Sequence, residues 1–167
     1  VLWVTFTFAG TIGLNRSMAV EKDRGCLDGL LLAPVDRVSI FFGKVIGNLF
    51  FMLIVEAIVF PIFSLLYNVN LFDLRLVLIV ILGSVGYVVV GTLLSSTSVH
   101  TRTRDVLLPI LLFPLILPVV ISAVKATQGI LEAYPWGQIV TWINMLIVFD
   151  VVYIAVAIMT YDFIVEE

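Results

Sequence analysis

The sequence predicts an all-α polytopic transmembrane bundle, and three observations predict it. First, 62% of the 167 residues are hydrophobic and only 13% are charged, against roughly 45–50% and 25% in soluble domains. The mean hydropathy is correspondingly high, at +1.20. Second, the apolar residues collect into five stretches, most of them near the about 20 residues that a helix needs to cross a hydrocarbon core. Third, Lys and Arg concentrate between alternate stretches rather than between all of them. These features exclude a water-soluble globular domain. They also exclude disorder, which requires low hydrophobicity and high net charge. A net charge of −3 with no basic run offers nucleic acid no surface. Cys26 is the sole cysteine, so neither a disulfide framework nor a cysteine-rich metal site is available.

Val1–Leu14 is free of charge but short, and it opens without an initiator methionine, so it is expected to be the later part of a span. Ile40–Leu66 follows, with Lys44 near its start and Glu56 inside. Leu76–Val99 contains no Asp, Glu, Lys or Arg. Val106–Val124 is equally uncharged, but Pro109, Pro114 and Pro118 interrupt it. Ile139–Tyr161 closes the series, with Asp150 at its middle. With spans that continue along the chain, no secretory signal peptide is expected.

Orientation follows from the basic residues. Arg16, Lys22, Arg24, Arg37, Lys44, Arg102 and Arg104 flank or fill two loops that must share a side, leaving only Arg75 and Lys125 opposite. Loops 15–39 and 100–105 and the tail 162–167 are therefore expected in the cytoplasm, with 67–75 and 125–138 outside. Val1 then starts on the outer side, and a parent chain of six helices with both ends inside is expected. Ile130, Leu131, Tyr134 and Trp136 in the segment Lys125–Gln138 suit a short interfacial helix, with Trp136 and Trp142 in the aromatic belt.

One cytoplasmic loop has a distinctive sequence. Glu21-Lys22-Asp23-Arg24 is fully charged, and Leu27, Leu30 and Leu31 then fall at i, i+3 and i+4, on one helical face. Gly25 and Gly29 weaken a helix by about 1 kcal/mol each, and Pro34 stops it before the next span. The pattern supports a short amphipathic element at the cytoplasmic interface. Such an element can pass force between a soluble partner and the flanking helices, or can be a plain surface helix.

This loop resembles the acidic-x-x-x-Gly-x-Leu-acidic-x-Leu-Leu-Leu-x-Pro stretch of ABC-2-type exporter membrane subunits, read here from Glu21 through Gly25, Leu27, Asp28, Leu30 and Leu31 to Pro34. More narrowly, the chain resembles the cytochrome c maturation protein B family, the membrane subunit of the haem exporter. Trp3–Arg16, Glu21–Asn48, the proline-rich run within Arg104–Thr127, and the closing Tyr161-Asp162-Phe163 with Glu166-Glu167 carry the likeness. Cys26, where a small polar residue is expected, and Gly29, where a larger one is common, depart from the pattern and bear on how tightly the loop packs. The resemblance implies a single permease domain over 1–167, lacking the family's first helix, with an ATPase-coupling element at 17–35. It implies an ABC ATPase subunit, other cytochrome c maturation membrane subunits and a haem chaperone as partners, with a homodimer open. It also implies a bacterial-type inner membrane, and haem export or ATP-driven release of the haem-loaded chaperone. Export of a lipid, polysaccharide or drug, or a non-transporting assembly scaffold, are the alternatives.

Several residues are weighed on physical grounds alone. A carboxylate in the hydrocarbon costs roughly 2.5–3.5 kcal/mol on insertion scales, so Glu56 and Asp150 are expected to face a cavity or a partner. Asn48, Asn144 and Tyr153 are the nearest candidates for that partner. Rising at about 1.5 Å per residue, Glu56 lies about 24 Å past Ile40 and Asp150 about 16 Å past Ile139. That puts the two at different depths, against an intramembrane carboxylate pair. The three prolines remove backbone donors, so their span is expected to be bent or broken and to face other helices more than lipid. Gly43-x-x-x-Gly47 and the glycines Gly83, Gly86 and Gly91 are expected to serve close helix packing. His100 lies beside Arg102 and Arg104 without a second histidine, so no haem or metal site is expected in this chain. The chain has no Gly-x-x-x-x-Gly-Lys-Ser/Thr loop, so it has no phosphate cradle for ATP; the resemblance implies that hydrolysis takes place in a separate ATPase subunit.

Overall fold

The computed structural model describes residues 1–23, 29, 36–98 and 104–166. It is an all-α bundle of five helices, with no strand among the described residues. They are α1 (Leu2–Asp23), α2 (Arg37–Tyr67), α3 (Leu74–Ser98), α4 (Arg104–Leu131) and α5 (Trp136–Glu166). Four of them, α2 to α5, are long and apolar enough to cross a membrane, so the protein is a multi-pass membrane protein. Each helix runs past its apolar stretch at one end or both. Helix α1 carries the backbone ladder past Leu14 through the charged Glu21-Lys22-Asp23, since charge ends a hydrophobic span but does not break a helix.

Helix α3 is the centre. Residues Gly86 through Thr92 are buried without interruption, nearly two turns enclosed on every side. The reason lies in its composition: small residues alternate with β-branched ones, and neighbours sink into the notches. The Trp3 ring rests on Gly83, the Tyr87 ring on Gly10, and Leu14 on Gly91. These contacts rise together in both helices, so α1 and α3 run parallel. The expected packing role of Gly83, Gly86 and Gly91 is borne out, whereas Gly43 and Gly47 have open space above them and face away from the bundle.

One end of the bundle is built by turn chemistry. Asn68 adopts the left-handed conformation at φ 50° and closes α2, with the Val69 N–H on the Ser64 carbonyl at 3.2 Å. Asp73 caps α3, its Oδ1 accepting the Arg75 N–H at 2.9 Å. Arg75 then lies 5.2 Å from the centre of the Trp136 ring, which places the loops at 68–73 and 132–135 at one end of the bundle.

The separate interfacial helix expected within Lys125–Gln138 is not formed. Helix α4 continues to Leu131 because Ala123, Ala126 and Gly129 stay buried on one face, with Ile139 of α5 against Gly129. The helix ends only where Ala133 turns left-handed at φ 56° and the Tyr134 N–H reaches the Gly129 carbonyl at 2.8 Å. In this turn Glu132 is held below the usual carboxylate range by hydrogen bonds to Tyr134 and Gln128 and by the charge of Lys125.

Candidate functional site

The two intramembrane acids bear on opposite sides of α3. Glu56 of α2 is 3% exposed, and the Ser84 hydroxyl donates to its Oε1. Its Oε2 has no hydrogen-bond partner among the described residues. Asp150 of α5 is 5% exposed, presses against Gly86, and has neither oxygen hydrogen-bonded among the described residues. Ser84 and Gly86 differ by about 3 Å in height and about 200° around the helix. The acids thus stand at nearly one level, correcting the depth difference expected from counting along each span. They still cannot share a substrate atom, because the body of α3 separates them.

None of the partners expected for these acids serves them. Asn48 donates to Thr92 Oγ1 at 3.0 Å, Asn144 is exposed, and the Tyr153 hydroxyl donates to the Leu115 carbonyl at 2.5 Å. That carbonyl stands three residues before Pro118, beside the one that Pro118 leaves without its usual donor.

Pro109, Pro114 and Pro118 do not break α4, which runs uninterrupted from Arg104 to Leu131. At about 100° per residue the buried Leu108, Leu112, Ile116 and Val119 define one face. Pro114 lies roughly opposite it, Pro118 on its flank about 115° round, and Pro109 near its margin. Pro114 is accordingly exposed, and Pro109 and Pro118 half-buried. Only 33% of the apolar window of α4 is buried, against 67% for α3. Within this chain the packed face of α4 is the one carrying Leu108, Leu112, Ile116 and Val119, and Pro114 sits away from it.

A polar relay joins α1 to α3. The hydroxyls of Thr11 and Tyr87 lie 2.7 Å apart, and both reach the Thr7 carbonyl at 2.8 Å. Trp3 ties α1 to α4 through its indole N–H on Thr127 Oγ1 at 3.1 Å. Sequence reasoning missed Thr7, Thr11, Ser84 and Tyr87. Isolated hydroxyls in apolar runs give no periodic signal, and only α1 with its repeated Thr at a four-residue spacing offered a hint.

Between the halves of α2 and α3 nearest the 68–73 loop a groove of about 450 Å³ opens sideways, with Glu56 in its wall and Ala57, Phe60, Pro61, Val77 and Ile81 among the apolar remainder. Of the expected coupling residues, Glu21 falls within α1. Gly25, Leu27, Asp28, Leu30, Leu31 and Pro34 lie outside the described residues, as do Cys26 and His100. Among the described residues no group of three or more His, Cys, Asp or Glu could hold a metal ion.

A search of curated proteins and a search of solved structures each found no match. A family model described as CcmB protein matches residues 1–165. With nearly the whole chain covered, the protein belongs to the CcmB family, membrane subunits of haem-exporting ABC transporters.

Proposed function

We propose that this chain is the permease subunit of an ABC complex serving c-type cytochrome biogenesis in a bacterial-type inner membrane, exporting haem or driving release of the haem-loaded chaperone. The observation that carries the reading is the family match over residues 1–165. In this reading 1–167 is one permease domain, non-catalytic, and an ATPase subunit supplies hydrolysis. The segment 17–35 is its docking element, with Glu21 and Asp28 as rim charges and Leu27, Leu30 and Leu31 as the buried face between Gly25 and Pro34. Other cytochrome c maturation membrane subunits and the haem chaperone complete the assembly.

The connectivity supports such a coupling. The element joins the end of α1 at Asp23 to the start of α2 at Arg37, and α1 bonds directly to the central α3 through Tyr87. A push on the element is thus delivered to two of the four helices that surround α3. ATP-driven closure of the ATPase pair then shifts the population of bundle arrangements.

Leu31→Asp tests it. Burying a leucine contributes about 1.5–3 kcal/mol, so a charge there is expected to abolish co-purification of the ATPase at equal membrane abundance of the two proteins. Undiminished recovery with normal cytochrome c production would reduce the element to an ordinary interfacial helix.

A further inference from the structure

We infer that the groove between α2 and α3 receives a transmembrane helix of a different membrane subunit, and that this helix presents a hydrogen-bond-donating side chain to Glu56. The inference rests on the chain being a subunit of a complex, but not on the coupling element.

Glu56 is the polar residue of an otherwise apolar lateral groove, it is almost wholly buried, and Oε2 lacks a donor among the described residues. This chain offers little compensation. Lys44, on the same helix, is 12 residues away, about 18 Å along the axis. Arg75 is nine residues outward from Ser84, about 13 Å. Helix α2 is also the least covered span, with 11% of its apolar window buried.

The chemistry selects among occupants. Glu56 stands 11 residues from the outer end of α2 at Tyr67, about 16 Å, which is half the ~30 Å hydrocarbon thickness. At that depth a lipid offers only methylene groups and no donor. A second copy packed isologously with Glu56 on the two-fold axis would set carboxyl against carboxyl and bring no donor group beyond the acids themselves. A helix bearing Ser, Thr, Asn, Gln, Lys or Arg at mid-membrane satisfies the carboxyl and fills the groove. Acids within membranes commonly pair in this way.

The test places a benzophenone amino acid at Val77, in the groove wall, in the full protein in its native membrane with its other subunits. A second probe at Ile121, exposed on α4, is the control. Photolysis is expected to yield an adduct whose peptide map falls on a transmembrane helix of another chain, within one turn of a donor side chain. Glu56→Leu should lower that yield about three- to fivefold, the size of one interhelical hydrogen bond, while Glu56→Gln keeps it and the Ile121 adducts are unmoved. If Glu56→Leu lowers membrane abundance, Ala57→Trp fills the groove with the acid intact and should abolish the Val77 adduct. Adducts to lipid alone, to this chain or a copy of it, or to a helix without a donor there would overturn the inference. ATPase recovery measured on the same membranes separates this failure from failure of the coupling reading.

Discussion

Glycine in this bundle does two different things, and the surroundings of each residue decide which. A methyl group added at Gly86 would run into the Asp150 carboxyl and crowd Val119 at 3.3 Å. At Gly43 it would meet nothing within 4 Å. Gly86→Ala is therefore expected to destabilise the protein by about 1–3 kcal/mol, the usual cost of overpacking. Gly43→Ala should stabilise it by about 0.5–1 kcal/mol through helix propensity alone. Thermal unfolding of the two variants in the same detergent checks the opposite signs. The sequence presents both as glycines in apolar helices, so the distinction was not legible there. The Glu56–Ser84 bond was hidden for a related reason: a serine among valines and leucines looks like a small spacer until a neighbouring helix brings an acid to it.

At the scale of the helix, composition located every span, and the structure moved the ends outward. Hydropathy reports where water gives way to lipid, whereas a helix ends where its backbone finds a cap. Asn68 and Ala133 supply those ends for α2 and α4, and neither announces itself by hydropathy. The prolines of α4 show the converse. Their lost donors were legible, but the side on which they fall follows from packing against α3 and α5. Since Pro114 is on the outward face, Pro114→Ala is expected to restore a donor to the Ile110 carbonyl without disturbing the core. The melting temperature should rise, by at most the about 3 kcal/mol that an interior proline costs, with membrane abundance unchanged. A lowered melting temperature would mean that the proline geometry is itself required by the packing.

For the whole molecule, alternating basic loops gave an orientation, and the antiparallel course of α2 to α5 agrees with it in one respect. The Arg75–Trp136 contact holds two loops at a common end, the pair expected outside. Which face of the membrane that end occupies is open to labelling. A cysteine at Ala133, in a Cys26→Ala background, is expected to react with an impermeant maleimide in intact cells. One at Thr101 should react only after the membrane is opened. The reverse pattern would invert the topology and with it the side on which the ATPase docks. The bundle's centre was legible only in part: α3 was the cleanest apolar run, yet nothing in its hydropathy separated a helix wrapped in protein from one wrapped in lipid.

The central place of α3 also sets a schedule for synthesis. Helices α1 and α2 leave the ribosome before it, and each carries polar groups whose mates lie on α3: Thr11 awaits Tyr87, Asn48 awaits Thr92, and Glu56 awaits Ser84. Until the third helix arrives, those side chains stand in lipid or stay with the insertion machinery. Arrival of a single helix then supplies a partner to all three at once, leaving only the second oxygen of Glu56 without one among the described residues. A nascent chain stalled at Tyr67 would display an unpaired acid in the bilayer, the kind of exposed polar group that marks an unassembled membrane protein for degradation.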